Sequence, residues 1–474
     1  MEASLPHEAM ANAHSVTTFV VLLKQRRRDM PPASAISPQA AILFFMNSGS
    51  ALLTISDKRH LYKAWREISK RNMLSKGSDN VTMKAFKASL DQNLTDISSE
   101  LRSGQYTFQK LRAHAISKTA SSKLRPLQIA SVRDRVVMKS IALFIEPAFR
   151  SFNLPCSFAF IKNRGVKDAI SRIHELVEQG NKHYFEADII NFFGAVDRET
   201  LWMMFSRKVR HKSLLPLLRQ CFDLELQDLN SFTPEFQKLF VGADSGIPQG
   251  GVLSPMLANF YLHEFDRRML DRGFNLVRYA DDFVVMCESK ERAMQAHDSA
   301  KTILETLGLR IHALDDLNSK SRIDHFSKHG LMFLGVMFEG KEVFPASKVV
   351  ERFRAKVQEV LKPGSGDTLF RTLQKLTNLI NGWGKCYRSM KVMDIYLRLD
   401  AFIKQSLESY LEGSGIRLIG KKKGRHMKFL GIPSLPAMVE HRKDRTSTGS
   451  DTLVGAPVVL APFEPQTTSP GPTP

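Results

Sequence analysis

The sequence is poor in cysteine: it has four among 474 residues, and no two are spaced as a Cys-x-x-Cys pair. We therefore expect reduced thiols and a cytoplasmic location, with neither a disulfide framework nor a structural zinc site. Long apolar runs are also missing. No stretch reaches the roughly 18 apolar residues of a membrane-spanning helix, so the sequence predicts no membrane partner. The first residues lack the basic start of a secretory signal, and we expect no leader.

Acidic residues are outnumbered by basic ones. The 48 Asp and Glu residues stand against 68 Lys and Arg residues, which leaves a formal net charge of +20. Such an excess favours a polyanionic partner such as a nucleic acid, although a basic surface also serves solubility alone. With 43% hydrophobic residues, the chain is globular, and its length predicts two to three lobes.

Two adjacent aspartates, Asp281 and Asp282, lie between runs rich in β-branched and aromatic residues. This pattern predicts two buried strands joined by a tight turn that holds the carboxylates. Adjacent like charges in a half-buried site need a compensating positive charge, and a divalent cation commonly supplies it. The alternative is a hairpin turn whose carboxylates are simply hydrated.

A second acidic site lies upstream, where Asp188 follows a short extended run and precedes a helical pattern. Alone, such an aspartate is usually a turn or helix-cap residue. Two aspartate sites of this kind could instead converge on two Mg²⁺ ions about 3.5 to 4 Å apart, as two-metal phosphoryl transfer requires. Between them, the glycine-rich turn Gly246–Ser254 opens a helix and would let the backbone and Gln249 approach a nucleotide closely.

In this order along the chain, these stretches resemble the palm motifs of reverse transcriptases, most closely the bacterial group II intron and retron types. The resemblance covers about residues 61 to 411. It rests on four blocks, namely Tyr279-Ala280-Asp281-Asp282, Gly246–Leu262, Arg125-Pro126-Leu127 and Val132-Arg133-Asp134-Arg135. It implies an α+β right-hand polymerase with fingers, a palm built on an antiparallel sheet, and a helical thumb.

The domain boundaries that we expect follow this comparison. They are an N-terminal extension (1–56), fingers (57–181), palm (182–345), helical thumb (346–412), and a basic C-terminal segment with a disordered Pro/Ser/Thr tail (413–474). The two ends fall outside the resemblance. For the N-terminal end, a docking extension and a start codon placed too far upstream are both open.

The resemblance also implies roles for individual residues. The expected catalytic and metal-binding residues are Asp188, Asp281 and Asp282, with Ile189 in the metal-binding set, and the cofactor is two Mg²⁺ ions for which Mn²⁺ can substitute. The expected nucleotide-binding residues are Arg125, Lys162, Arg164, Phe193, Gln249 and Lys320.

Three of these nucleotide assignments need comment. Ile161 stands where many relatives have an arginine on the triphosphate, so that role passes to Lys162 or Arg164, with help from Arg125. Phe193 would block a 2′-hydroxyl and select deoxynucleotides. Lys320 would neutralise or protonate pyrophosphate, with a surface lysine as the alternative.

Contacts with primer and template are expected from Tyr279, from Gly335 in the primer grip and from Trp383 in the thumb. For Trp383 an aromatic packed inside the helical bundle is the alternative. The thumb helices are expected over 369–380 and 392–411, with 381–387 between them.

The function implied is RNA-directed DNA polymerisation, with an RNA template, a DNA or RNA primer and dNTPs as partners, and a dedicated non-coding or intron RNA as a further candidate. An RNA-dependent RNA polymerase shares the palm, but we would then expect a small or acidic residue in place of Phe193. A maturase-like RNA-binding protein has no need of all three aspartates. By analogy, the chain resembles stand-alone or defence-associated enzymes more than a complete mobile intron protein.

Overall fold

The structure is a computed structural model and describes residues 51–439, except for 70–72, 118–123, 210, 243–244, 315–318, 341, 365, 417–426 and 428–429. The expected docking extension before residue 51 and the Pro/Ser/Thr tail therefore lie outside the described residues. So does the basic run at 421–425.

The N-terminal part is mainly helical and carries one hairpin. Its elements are α1 (Ala51–Ser56), α2 (Lys58–Ile68), α3 (Met83–Ala88), α4 (Leu90–Ser103), β1 (Arg112–Ser117), β2 (Leu124–Ile129), α5 (Val132–Phe149) and α6 (Val166–Glu178). Strands β1 and β2 pair antiparallel and form a hairpin. Helix α2 begins where the Asp57 carboxylate accepts hydrogen bonds from two backbone N–H groups of its first turn.

The sequence from Met83 to about Gln105 has a helical pattern, which the structure divides into the two helices α3 and α4. Ser89 leaves the helical region with φ −117° and ψ 37°. The side-chain amide of Asn93 donates to the Phe86 carbonyl at 2.9 Å, which satisfies an acceptor near the break. Hydrophobic spacing alone does not reveal a break that a local side chain stabilises.

The central part alternates helices with a sheet. Its elements are β3 (His183–Asp188), α7 (Phe192–Ala195), α8 (Arg198–Lys208), α9 (Leu215–Phe222), α10 (Pro234–Lys238), α11 (Ser254–Asp271), β4 (Asn275–Tyr279), β5 (Asp282–Cys287), α12 (Lys290–Thr306), β6 (Arg322–His325) and α13 (Phe326–His329). The four strands form one antiparallel sheet in the order β4-β5-β3-β6. This arrangement confirms the predicted α+β class.

The central sheet is covered on both faces. In β5, Phe283 and Val285 belong to a core shared with the N-terminal helices, whereas Val284 and Met286 belong to a core shared with the C-terminal helices. Side chains of a strand alternate between faces, so a nearly continuous apolar run is what a doubly covered strand requires. The sheet therefore contacts both cores, and packing on its two faces fixes the ends of its strands.

The C-terminal part begins with a small antiparallel sheet and continues as helices. Its elements are β7 (Leu331–Phe333), β8 (Val336–Glu339), β9 (Glu342–Pro345), α14 (Ser347–Val360), α15 (Leu369–Tyr387) and α16 (Met393–Gly413). In the described part of the chain, no helix has the length and apolar character needed to cross a membrane.

Helix α15 runs through the stretch 381–387 that was predicted to separate two helices, so that boundary was wrong. Two glycines in this stretch suggested a break, but tertiary packing overrides their low helix propensity. A Cβ at Gly384 would collide with Met438 and Leu435, so the glycine lets the last described residues pack directly on α15. The carboxylate of Asp400 on α16 fixes them, accepting from the Leu435 N–H at 2.9 Å and the Ser434 hydroxyl at 3.1 Å.

Two glycines of α15 allow a matched test of this packing. A Cβ at Gly382 would meet nothing within 4 Å, whereas one at Gly384 would meet Met438 and Leu435. Gly382→Ala should therefore raise the free energy of unfolding by about 0.4 to 1 kcal/mol, because it restricts the unfolded chain. Gly384→Ala should lower it relative to Gly382→Ala, because the ends of the Met438 and Leu435 side chains would have to shift. Chemical denaturation of both variants measures this, and equal shifts would contradict the close contact.

Candidate active site

The two adjacent aspartates occupy a two-residue hairpin, as predicted. Tyr279 at the end of β4 pairs with Asp282 at the start of β5, and Ala280 and Asp281 form the turn between them. Ala280 has a φ of +60°, a left-handed conformation that is unfavourable for a residue with a Cβ. The turn that carries the carboxylates is thus both tight and strained.

The third aspartate lies beside this hairpin. Asp188 ends β3 and is directly opposite Asp282 in the antiparallel pairing of β3 with β5. Residues that face each other across antiparallel strands project their side chains to the same side of the sheet. The next residue, Ile189, donates its backbone N–H to the Asp281 carbonyl at 3.2 Å. Asp188 and Asp282, 94 positions apart in the sequence, are therefore neighbours where β3 ends and β5 begins. We call this end of the sheet the aspartate edge.

The three carboxylates repel one another. Burial, and then the charge of Asp188, raise the pKa of Asp281. Asp282 is exposed at the start of β5, but desolvation of its carboxylate beside the strand ends and the charges of Asp281 and Asp188 together raise its pKa. The ammonium of Lys320 forms an ion pair with the Asp188 carboxylate. Burial alone lowers the pKa of Lys320, but this hydrogen bond and the neighbouring carboxylates raise it overall.

The donor set of this site suits a hard divalent cation. Three carboxylates supply oxygen ligands and excess negative charge, which Mg²⁺ and Mn²⁺ prefer. Within the residues that the structure describes, no three Asp, Glu, His or Cys side chains are already converged as a closed metal cage. Lys320 instead provides part of the compensating charge. The three carboxylates therefore have the donor atoms of a metal site and lie close together in the fold. Their side chains would turn towards an ion to bind it.

The glycine-rich turn contacts Phe193 through the backbone. Ile247 donates its N–H to the Phe193 carbonyl at 2.7 Å, and a Cβ at Gly246 would collide with that carbonyl. The half-buried Phe193 ring stacks edge-on against Phe192, with 5.3 Å between the ring centroids. Arg198, which the sequence analysis missed, donates to the Gly246 carbonyl from Nε at 3.1 Å and from Nη2 at 2.9 Å. The position of Phe193 is thus set by backbone contacts.

The same turn is joined to the N-terminal hairpin. The Gln249 carbonyl accepts from the N–H of Gln128, in β2, at 2.8 Å. The Gln249 side-chain oxygen is buried and, among the described residues, has no hydrogen-bond partner. Arg125, also in β2, is exposed, and its positive charge acts on Asp281. Arg125 is therefore close enough to act on Asp281, and Gln249 is bonded to the same hairpin strand as Arg125.

The two candidates for a triphosphate contact differ in the structure. Lys162 is exposed. Arg164 is half-buried, and its Nη1 donates to the carbonyls of Leu154 at 2.7 Å and Ser157 at 2.9 Å. Through these bonds the Arg164 guanidinium closes the loop in which it lies, and its contact with a triphosphate stays a prediction. A sequence pattern cannot distinguish these roles, because the carbonyl partners become available only when the loop forms.

The three residues predicted to contact primer and template have different surroundings in the structure. Trp383 is only 6% exposed and packs against Phe353, Tyr387 and Tyr396, which favours the alternative of a core aromatic. Gly335 lies in the β7–β8 turn with a φ of +78°, where a side chain would be strained. Tyr279 is half-buried beside Asp282.

Arg278, immediately before the Tyr279–Asp282 hairpin, is a functional candidate that the sequence analysis missed. It is fully buried and forms an ion pair with the equally buried Asp266, with both carboxylate oxygens at 2.6 Å. A signal was present in the sequence, because an arginine inside an apolar strand is buried only when it is paired.

Comparison with known proteins relates this edge to a family. The family described as reverse transcriptase (RNA-dependent DNA polymerase) matches residues 116–338, which contain all three aspartates. Over these residues the chain is similar to reverse transcriptases. Among its relatives, the protein YkfC of Escherichia coli K12 is 27% identical over 307 residues, covering 56% of this chain and 77% of YkfC.

Two further relatives match this chain over shorter parts of their length. The group II intron-encoded protein LtrA of Lactococcus lactis is 29% identical over 44% of this chain and 33% of LtrA. The retron Ec73 reverse transcriptase of Escherichia coli is 26% identical over 32% of this chain and 46% of the retron enzyme. These matches bear out the predicted resemblance to bacterial group II intron and retron-type reverse transcriptases.

Among solved structures, a partial Cas6-RT-Cas1–Cas2 complex aligns with a TM-score of 0.33 and 25% identity, over 54% of this chain and 41% of the solved chain.

The different surroundings of Lys162 and Arg164 predict different effects of substitution. Arg164→Ala removes two hydrogen bonds from a charged donor and should lower the free energy of unfolding by about 1 to 3 kcal/mol. Lys162→Ala removes an exposed side chain and should leave stability unchanged while raising the KM for dNTP. Thermal unfolding and primer-extension kinetics separate the two. A stable Arg164→Ala protein with a raised KM would support the triphosphate contact instead.

Proposed function

We propose that this chain extends a primer 3′-hydroxyl with dNTPs on an RNA template by two-metal phosphoryl transfer. The observation that carries the proposal is the pairing of Asp188 with Asp282, which brings three mutually repelling carboxylates to one edge of a sheet. Such an arrangement is unfavourable unless a cation is bound, and phosphoryl transfer uses bound divalent cations.

The carboxylates of Asp188, Asp281 and Asp282, with the carbonyl of Ile189, would hold two Mg²⁺ ions, or Mn²⁺ in their place. When bound, the ions supply activation of the primer hydroxyl and neutralisation of charge on the triphosphate. The protein's own contribution is to hold these ligands on strand ends fixed by two cores. Lys320, paired with Asp188 here, is placed to donate a proton or a hydrogen bond to pyrophosphate.

Around these ligands we assign the nucleotide contacts. Arg125, on the hairpin strand β2, and the exposed Lys162 would bind the triphosphate, one as a bidentate donor and the other as a point charge. The unpartnered side-chain oxygen of Gln249 would accept a hydrogen bond from the nucleotide. Phe193 would form an apolar wall against the sugar, which favours a deoxynucleotide.

The division into fingers (57–181), palm (182–345) and thumb (346–412) remains part of this proposal. The β1–β2 hairpin would close over the nucleotide, and the basic residues of α14 would contact the backbone of the template-primer duplex. We propose a bacterial retroelement or an anti-phage defence system as the setting. The names of the intron-encoded and retron relatives support the first, and sequencing the nucleic acid that copurifies with the full-length chain would identify the template RNA.

The role of the aspartates as metal ligands can be tested with substitutions that keep the shape of their side chains. The double variant Asp281→Asn/Asp282→Asn should abolish Mg²⁺-dependent dNTP incorporation on a primed RNA template, because it removes ligand charge. Its thermal unfolding midpoint should be unchanged or higher, since two repelling carboxylates are removed. Asp91→Asn/Asp96→Asn, at exposed positions of α4, is the matched control. Normal extension by the first variant would refute the two-metal assignment.

Sugar selection is tested at two adjacent phenylalanines. Phe193→Val should raise the kcat/KM for rNTP relative to dNTP, because it removes a steric clash and a desolvated site for the 2′-hydroxyl. A change of a few kcal/mol is plausible, with about 1.4 kcal/mol for each tenfold. Phe192→Val, in the core, should instead lower stability and leave the ratio unchanged. An unchanged ratio in both variants would mean that Phe193 is only a packing residue.

A further inference from the structure

The buried residue Arg278 contacts two functional segments at once. Its Nη1 donates to the Ala280 carbonyl, inside the aspartate turn, at 2.9 Å. Its Nη2 donates to the Ser157 hydroxyl at 2.9 Å. Ser157 belongs to the loop 157–164, which carries the exposed Lys162. A single guanidinium therefore touches both the turn with the proposed metal ligands and the loop with a proposed triphosphate contact.

Helix α11 holds this guanidinium from the opposite side. The Asp266 carboxylate accepts from Nε and Nη2, and the Asn259 side-chain oxygen accepts from Nη1 at 3.3 Å. Asn259 also donates its side-chain amide to the Ala159 carbonyl at 2.9 Å, which is a second attachment of the loop. All of these side chains are buried, so none of the bonds is weakened by competing water.

The direction of the loop brings its continuation to the aspartate edge. Ser157 forms a parallel bridge with Arg278, and Phe158 donates its N–H to the Arg278 carbonyl at 3.0 Å. A parallel neighbour advances in step with β4 at about 3.3 Å per residue, so the residues after Ser157 emerge where β4 ends in the turn. Phe160 is reached three residues on and is 51% exposed, with a φ of +60°.

Both segments adopt conformations that need external support. Phe160 in the loop and Ala280 in the turn have positive φ angles although neither is a glycine. Such residues cost of order 1 to 3 kcal/mol each and persist only where the surroundings fix them. Arg278 binds the carbonyl of Ala280 itself and the segment that leads into Phe160, so its hydrogen bonds fall on these two strained places.

Stability alone does not account for this ion pair. A buried Arg–Asp pair is often no more stabilising than apolar residues of similar volume, because desolvation of both charges offsets their attraction. What apolar residues cannot supply is a planar fork that bonds carbonyl, hydroxyl and carboxylate groups in fixed directions.

We propose that Arg278, held by Asp266 and Asn259, is a positioning residue that fixes the nucleotide-facing loop 157–164 relative to the metal-binding turn 280–282. The proposal rests on the polymerase function proposed above. It means that dNTP and metal are brought together by one buried side chain that touches neither.

The first test replaces the ion pair without leaving a charge unpaired. In the full-length protein, Arg278→Met/Asp266→Leu should keep the thermal unfolding midpoint close to that of the wild type or raise it. It should weaken Mn²⁺ binding, measured by electron paramagnetic resonance, by roughly 10- to 100-fold, as is usual when support for metal ligands is lost. Arg278→Lys keeps the charge but not the fork, so it should weaken Mn²⁺ binding alike and, because buried hydrogen-bond partners are left unsatisfied, lower the unfolding midpoint. Arg267→Lys, at the exposed neighbouring position of Asp266 on α11, is the control and should change neither quantity.

The second test separates the two segments. Ser157→Ala removes the bond to the loop and leaves Arg278 bonded to Ala280. It should raise the KM for dNTP several-fold with little change in kcat or in the dissociation constant for Mn²⁺. If the Arg278 variants do not fold, this variant decides alone.

The outcomes distinguish this proposal from the function on which it rests. If the Asp281→Asn/Asp282→Asn variant binds Mn²⁺ as tightly as the wild type does, the proposed metal site is wrong. If the wild type binds Mn²⁺ there and extends primers, but the Arg278 and Ser157 variants match it in Mn²⁺ affinity and dNTP KM, only the positioning role is overturned. A fall in thermal stability without a change in those constants has the same meaning.

Discussion

Mutual repulsion among Asp188, Asp281 and Asp282 is the constraint on which the centre of this structure depends. Each carboxylate is placed by the backbone, two of them by cross-strand pairing and one by a two-residue turn. Repulsion would separate flexible side chains in water, but here the strands that carry them are fixed between two hydrophobic cores. Energy released by burying those cores therefore maintains an arrangement of charge that is unfavourable by itself.

Positive charge is distributed around this edge at different depths. Lys320 pairs with Asp188 and is largely exposed, so solvent or a ligand can take its place. Arg278 is fully buried and is committed to Asp266. The first cation is suited to change partners during a reaction and the second to remain still. Of the two positive charges near the carboxylates, that of Lys320 can therefore move away, whereas that of Arg278 stays fixed.

The parts of the fold that the sequence predicted correctly are those set by local patterns. The apolar runs on either side of Asp281 predict paired strands, and two residues between them leave space only for a tight turn. The proximity of Asp188 followed from resemblance to a family, because no local pattern relates residues so far apart. The partners of Arg164 and Trp383 were not predicted, since they are carbonyls and rings that come together only when the chain folds. Hydrophobic periodicity does not predict the break at Ser89, near which the side-chain amide of Asn93 donates to the Phe86 carbonyl.

The register that places Asp188 opposite Asp282 also bears on how such a chain can vary in length. Side chains of a strand alternate between two faces, so inserting or deleting one residue in β3 would turn its carboxylate to the other face of the sheet. The segment between β3 and β4 has no such restriction, because its helices and turns return the chain to the sheet by packing. Divergence in length should therefore accumulate in that connecting segment, while the two aspartate-bearing strands keep a constant number of residues.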